Sequence, residues 1–158
     1  MSTQESFMLL IAPDYFPMRL EMISFLASLS KRQAAVYSYL LVRAVRPSVH
    51  NPGNPNVGLV RHGGRPITQS RIAVELGMHG SHVSKTLGAL ERMGLISRQD
   101  GQIEVVEHLH LWRGTVVPEM RDGQVAMVTC WDMLNGEWKK FPPVDLEDSI
   151  IGKLRDVS

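Results

Sequence analysis

Polar side chains that donate and accept hydrogen bonds are concentrated in one short stretch near the middle of the chain. They are the hydroxyls of Ser81 and Ser84, the imidazole of His82 and the ammonium group of Lys85. The apolar residues among them recur at helical spacing, so a helix would hold these polar groups on its outer face. A Lys there can donate to guanine N7 and O6 or to phosphate, and Ser and His can reach a phosphate or a base edge. The pattern therefore indicates recognition of a nucleic acid.

Signatures of catalysis and of metal binding are missing from the sequence. It has no P-loop, G-x-S-x-G or H-E-x-x-H motif, so we expect no enzyme activity and no cofactor. His108 and His110 would share one face of a strand and, with Cys130, suggest a metal site. Three such residues without paired spacing fit poorly with the four ligands of structural zinc, so we expect no metal and a packing role for Cys130.

Two helices joined by a tight turn are needed to position the polar stretch. Thr68 can cap the first helix, whose inner face holds Ile72, Ala73 and Leu76. Gly77 then ends that helix, because the chain must turn there with a positive φ that glycine adopts without steric cost. The second helix is expected to begin near Gly80 and to bury an apolar stripe formed by Val83, Leu87, Leu90 and Met93.

A β-hairpin is predicted directly after the second helix. Gly94 ends the helix, and Leu95 to Arg98 can form a strand. Asp100-Gly101 is a favoured two-residue turn, and Gln102 to Val106 would be the return strand.

The segment from Thr68 to Val106 resembles the winged helix-turn-helix of the Crp and MarR regulator superfamilies. The residues that carry the resemblance are a small residue, a glycine four positions later, a Val six positions after that glycine, and a Gly-Leu-Ile strand entry, here Ala73, Gly77, Val83 and Gly94-Leu95-Ile96. The resemblance implies an α+β fold in which the second helix lies in the major groove of duplex DNA and the hairpin is the wing. His79 stands where such families place a Ser or Thr cap, so a later helix start capped by Ser81 is an alternative.

The DNA-binding residues that we expect lie on both helices, on the wing and in the basic segment before them. They are Thr68, Gln69, His79, Gly80, Ser81, His82, Ser84, Lys85, Arg92, Arg98, Gln102, Arg61 and Arg65.

The distribution of charge supports a polyanionic partner, although the whole chain has a net charge of only +1. Residues 31–98 contain ten Lys and Arg against two Glu, whereas residues 99–158 contain six basic and eleven acidic side chains. The middle of the chain is therefore the expected DNA-binding part.

The segments before the helix-turn-helix predict two further helices and a loop. Pro17 can start a helix that ends near Ser28, with Leu20, Ile23, Leu26 and Leu29 along one stripe. Ser30 and Gln33 form a capping box for a helix that runs to about Val45, with Val36, Leu40, Leu41 and Ala44 as its apolar stripe. Arg46 to Pro66 is rich in Pro and Gly, and is either a solvated loop or a basic arm that touches DNA. It includes a potential strand at Val57 to Val60.

The C-terminal third predicts a hairpin followed by a helix. Val125, Met127 and Thr129 alternate on one face of a strand, Asn135-Gly136 is a turn, and Glu137 to Phe141 is the return strand. Pro142-Pro143 is expected to break that strand. Asp145 can cap a last helix with Leu146, Ile150 and Leu154 on one face. The three Trp residues, at 112, 131 and 138, suit a core or dimer interface better than a ligand pocket.

These elements divide the chain into an N-terminal segment and helix (1–30), a winged helix-turn-helix domain (31–112), and a C-terminal hairpin and helix (113–158) that dimerises or binds a partner. The apolar run from Phe7 to Ala12 is too short for a signal or membrane segment, and one cysteine suits a reducing compartment, so we expect a cytoplasmic protein.

The leading hypothesis is a homodimeric, sequence-specific regulator of transcription. A weaker resemblance, carried by Leu29-Ser30 and Trp112-Arg113-Gly114, is to plasmid replication initiators of the RepL type. It implies a second hypothesis, DNA replication initiated at origin repeats of a plasmid or phage, with replication proteins as partners. A protein-interaction scaffold is the third.

Overall fold

The computed structural model describes residues 16–45 and 57–130, and the backbone of residues 140–144. Five helices and eight strands lie within these ranges. In chain order they are α1 (Leu20–Ser28), α2 (Lys31–Arg43), β1 (Ala44–Val45), β2 (Gly58–His62), β3 (Arg65–Pro66), α3 (Gln69–Leu76), α4 (Gly80–Arg92), β4 (Ile96–Gln99), β5 (Gln102–Val105), α5 (His108–Arg113), β6 (Val116–Arg121), β7 (Gln124–Cys130) and β8 (Lys140–Val144). The predicted α+β class is confirmed.

The chain divides into two compact units. The first contains the described residues up to 17 and from 29 to 109, and the second contains residues 18–28 and those from 110 onward. Helix α1 packs on β6 and so is grouped with the C-terminal strands.

Helix α2 begins with the capping box that the sequence predicts. The Gln33 backbone N–H donates to Ser30 Oγ over 3.2 Å, and the Ser30 N–H donates to Gln33 Oε1 over 3.1 Å. The helix ends at Arg43 rather than at Val45, because Ala44 and Val45 are extended and pair with β2. All four residues of the predicted stripe are buried: Val36, Leu40, Leu41 and Ala44.

The sheet of the first unit is antiparallel, with strand order β1-β2-β5-β4 and with β3 paired to β2. The segment predicted as a loop therefore contains a hairpin in its second half, and the predicted strand extends to His62. Gly63 and Gly64, at φ 59° and 77°, form the turn of this hairpin without steric cost. Residues 46–56, the other half of the predicted loop, lie outside the described residues.

The core of the first unit is formed where α2, α3 and α4 pack together, with α2 on β2 and α4 on β4. Its fully buried side chains include Tyr37, Leu40, Ile72, Val83, Leu87, Leu90 and Leu95. Burial of these large apolar side chains supplies the main favourable free energy of folding, and it fixes the outward faces of α3 and α4.

Strand β2 and helix α5 approach each other unusually closely at Gly58. A Cβ added to Gly58 would lie 2.6 Å from His108 Cγ and 2.9 Å from the Cβ of Ala44. His108 is buried, donates from Nε2 to the Leu41 carbonyl over 3.1 Å, and lies 5.8 Å from Phe16 between ring centroids. The expected strand around His108 and His110 is wrong, because this segment forms the short helix α5.

The second unit combines α1 with an antiparallel sheet of order β6-β7-β8. Leu20 and Ile23, which were expected to be buried, are 75% and 52% exposed, whereas Met22 and Phe25 are buried. The predicted stripe was wrong because this helix is apolar on most sides, so periodicity could not select the face that packs on β6.

The predicted C-terminal hairpin is present as β7 and β8, with Cys130 opposite Lys140. The return strand runs from Lys140 to Val144, through the two prolines that were expected to end it. Pro is tolerated there because β8 is an edge strand of the described sheet. The Asn135-Gly136 turn, Trp131, Trp138 and the predicted C-terminal helix lie outside the described residues.

Candidate nucleic-acid interface

The turn between α3 and α4 has the geometry that its sequence predicts. The Arg71 N–H donates to Thr68 Oγ1 over 3.1 Å, which caps the start of α3. At the other end Gly77 has φ 62°, and the Met78 N–H donates to the Ala73 carbonyl over 2.9 Å. These bonds satisfy backbone groups at both ends of α3 and set the direction in which α4 leaves.

Helix α4 begins at Gly80, as predicted. The His79 carbonyl accepts from the N–H groups of His82 and Val83 over 3.0 and 3.1 Å, so His79 is the N-cap residue. The alternative of a later start capped by Ser81 is wrong, because these backbone bonds already form the first turn. His79 Nδ1 lies 3.1 Å from Ser81 Oγ.

One face of α4 is buried and the opposite face carries polar groups. Ser81, Lys85, Gly88 and Arg92 follow one another at steps of four, three and four, which places them along one stripe of the helix. The side chains of Ser81, Lys85 and Arg92 are exposed. A Cβ at Gly88 would be 3.4 Å from Arg92 Nη1, so the Arg92 guanidinium lies back over Gly88.

Positive groups from two helices surround the first turn of α4. The ring centroids of His79 and His82 are 5.9 Å apart. Partial burial lowers the pKa of His82, and the positive charges of Arg32, His79 and Lys85 lower it further. The neutral form of His82 is therefore favoured in the free protein. Arg32, on α2, was not among the predicted site residues, although its place in the basic segment was a signal.

The predicted wing is present as the hairpin of β4 and β5. Its turn residues Asp100 and Gly101 have φ of 51° and 75°, which matches the twist of a tight hairpin. Arg98 Nη2 lies 3.1 Å from Glu91 Oε1, and this bond lowers the pKa of Glu91. The pair joins the wing to α4 and partly offsets the charge of Arg98. Gln102 is half-buried and lies opposite Gln99 in the register.

The hairpin of β2 and β3 brings two more predicted residues to the wing end of the sheet. Leu59 lies opposite Glu104 in antiparallel register, so β2 continues from there toward the end that carries the wing turn. Arg61 Nη1 donates to the Gly64 carbonyl over 3.1 Å, and Arg65 is exposed. Arg61 is thus held within its own hairpin.

Glu75 joins α2 to α3 and was not foreseen. Its carboxylate accepts hydrogen bonds from the Tyr39 hydroxyl, from Arg43 Nη2 over 3.2 Å and from Arg71 Nε over 3.0 Å. The bond from Tyr39, followed by the charges of Arg43 and Arg71, holds the pKa of Glu75 below its usual value. The contacts from Tyr39 and Arg43 are long-range in sequence, so the helical pattern gave no signal for them. The Arg71–Glu75 pair is four residues apart on α3, a spacing from which it could have been predicted.

No group of three His, Cys, Asp or Glu side chains within the described part of the chain is arranged to hold a metal ion. His108 and His110 are on a helix, where residues two apart do not share a face. His110 Nδ1 lies 3.3 Å from Thr115 Oγ1.

A capped helix, a left-handed glycine turn, a second helix with an exposed polar stripe and a hairpin wing define a winged helix-turn-helix, which is a DNA-binding fold. The chain belongs to the Crp-like helix-turn-helix domain family, whose model matches residues 34–113. Comparison with curated proteins and with solved structures found no match. Of the helices in the described ranges, none is long and apolar enough to cross a membrane.

Proposed function

We propose that the protein is a sequence-specific regulator of transcription that reads duplex DNA with α4. The observation that carries this proposal is the polar stripe of Ser81, Lys85 and Arg92, exposed on a helix whose opposite face is fully buried. A rigidly held helix with donors on its outer face suits readout in the major groove. The surrounding basic segment supplies the attraction to phosphate.

The other predicted residues have distinct proposed roles around α4. Ser84 and His82 contact bases or phosphates beside Lys85, while Thr68 and Gln69 place the N-terminus of α3 at a phosphate. Two pairs of residues lie farther from α4. Arg98 and Gln102 would contact the DNA backbone or minor groove from the wing, and Arg61 and Arg65 would do so from the β2–β3 hairpin.

We propose further that two copies bind one site. A single recognition helix covers too few base pairs for specificity in a genome, and pairing two half-sites supplies the rest. Exposed Leu20 and Ile23 on α1 support an interface in the second unit, since apolar side chains of this size are seldom left in water together.

Selection of bound sites from random duplex DNA tests these proposals together. Selection with a regulator of this kind should recover one sequence motif, with two-fold symmetric half-sites centred about 10 base pairs apart. Lys85→Ala should weaken enrichment, whereas Arg121→Ala, an exposed change in the second unit, should not. Recovery of no motif would contradict sequence-specific binding, and recovery of an asymmetric motif by a monomer would contradict the dimer.

The positions of the sites in the natural DNA separate regulation from replication. A site at a promoter supports a transcriptional regulator, and iterated repeats at an origin would support a plasmid or phage initiator instead. Absent or salt-independent binding to duplex DNA would favour a protein-interaction role.

A further inference from the structure

Two imidazoles occupy the first turn of α4, at the end of the helix that reads DNA in the proposed function. His79 is exposed and His82 is half-buried, with ring centroids 5.9 Å apart. Both lie beside the polar stripe that begins at Ser81. A phosphate bound near this turn would therefore lie close to both rings.

The charges that act on His82 are positive. Arg32 of α2 and Lys85 of α4 both disfavour a proton on His82, as does His79. The charged residues of α3, Arg71 and Glu75, bond to each other over 3.0 Å. On the side of β4, Arg98 is paired with Glu91. On α2, Arg43 also bonds to Glu75, at 3.2 Å.

A bound phosphate reverses this balance. Near pH 7 protonation of His82 is unfavourable in the free protein, because burial and nearby positive charges oppose it. A phosphate oxygen beside the ring accepts a hydrogen bond from the imidazolium and offsets Arg32 and Lys85 at the same time. The charged form is then favoured in the complex and disfavoured in the free protein.

We propose that binding of duplex DNA is coupled to protonation of His82, so that the protein binds DNA more tightly as the pH falls through neutrality. This inference rests on the proposed function. By linkage, uptake of one proton on binding makes the dissociation constant fall by up to about tenfold for each unit by which the pH falls. His82 would make occupancy of a DNA site responsive to pH.

The test measures the dissociation constant for one duplex between pH 6.0 and 8.5 at fixed salt, and counts protons by calorimetry in buffers of different ionisation enthalpy. The variant is His82→Gln, which keeps a hydrogen-bonding group but does not titrate. His110→Gln is the matched control, since His110 is half-buried like His82 and belongs to the second unit, for which no DNA contact is proposed. Circular dichroism at each pH ensures that only folded protein is compared.

The proposal predicts proton uptake by the wild type, a flat pH slope in His82→Gln and an unchanged slope in His110→Gln. A pH-independent affinity in the wild type, or a slope that persists in His82→Gln, would overturn it. Failure of the wild type to bind duplex DNA at any pH would instead reject the proposed function, so the two failures are distinct.

Discussion

Lys85 is the positively charged residue whose substitution best tests how α4 contacts DNA. It is exposed, stands one turn into the helix, and shares its stripe with Ser81 and Arg92. Lys as a donor suits both guanine and phosphate, and the two contacts have different energetic consequences. Substitution of Lys85 therefore distinguishes a contact to a base from a contact to the phosphate backbone.

Lys85→Ala should follow one of two patterns in a salt titration. If Lys85 reads a base, the change removes about 1–3 kcal/mol of discrimination between the selected site and a mutated site. If it contacts only phosphate, affinity falls equally for all sequences, and the slope of log K against log salt flattens by about one. Arg121→Ala should match the wild type. Unchanged affinity at every salt concentration would show that Lys85 is not part of the interface.

Gly58 is a residue of the first unit at which there is no room for a side chain. Gly58→Ala should lower the free energy of unfolding by about 1–3 kcal/mol, because the new methyl group would overlap the His108 ring and the Ala44 side chain. Urea unfolding measures this. Gly80→Ala is the control, since no described atom lies within 4 Å of its added Cβ, and it should leave stability equal or slightly higher. Equal effects of both changes would contradict the close approach.

At the level of elements, local signals were sufficient where short-range backbone bonds decide the structure. The Ser30 capping box, the Thr68 cap and the Asp100-Gly101 turn each depend on residues within three or four positions, and all three are present. The start of α4 was predicted for the same reason.

Where tertiary packing decides, the sequence pattern was insufficient. The buried face of α1 depends on β6, which is distant in the chain. Helix α5 likewise begins at His108, whose bond to the Leu41 carbonyl joins residues 67 positions apart. The β2–β3 hairpin, by contrast, turns at Gly63-Gly64, a local signal within the segment predicted as a loop. Among candidate site residues, the bond of Arg98 to Glu91 and the position of Arg32 near His82 arise from the same long-range packing.

The connection between α3 and α4 gives a prediction about backbone conformation alone. Gly77 has φ 62°, and no described atom lies within 4 Å of an added Cβ, so a substitution there costs only backbone strain. Gly77→Ala should destabilise the protein by about 1 kcal/mol, and Gly77→Asn by less, because Asn tolerates the left-handed region better. Urea unfolding of both variants tests the order. A larger loss for Asn than for Ala would contradict it.

For the whole molecule, acid should reduce stability in two stages with different causes. His108, His110 and His82 have pKa values lowered mainly by burial, so the unfolded chain binds protons before the folded one does. Glu75 and Glu91 also have lowered pKa values, from their hydrogen bonds to Tyr39 and Arg98. Their stabilising contribution is lost only at lower pH, as the carboxylates are protonated.

The first stage should be dominated by His108, which is 5% exposed and bonded to the Leu41 carbonyl. Its contribution is complete above the unfolded pKa near 6.5 and is lost as the pH falls toward the lower folded pKa, at no more than about 1.4 kcal/mol per pH unit. Urea unfolding between pH 8 and 5 should show this decline, and His108→Gln should flatten it. A proton NMR titration of the wild-type imidazoles measures the pKa of His108 in the folded protein directly, without a substitution. A His108 that titrates at or above 6.5 in the folded protein would contradict the assignment.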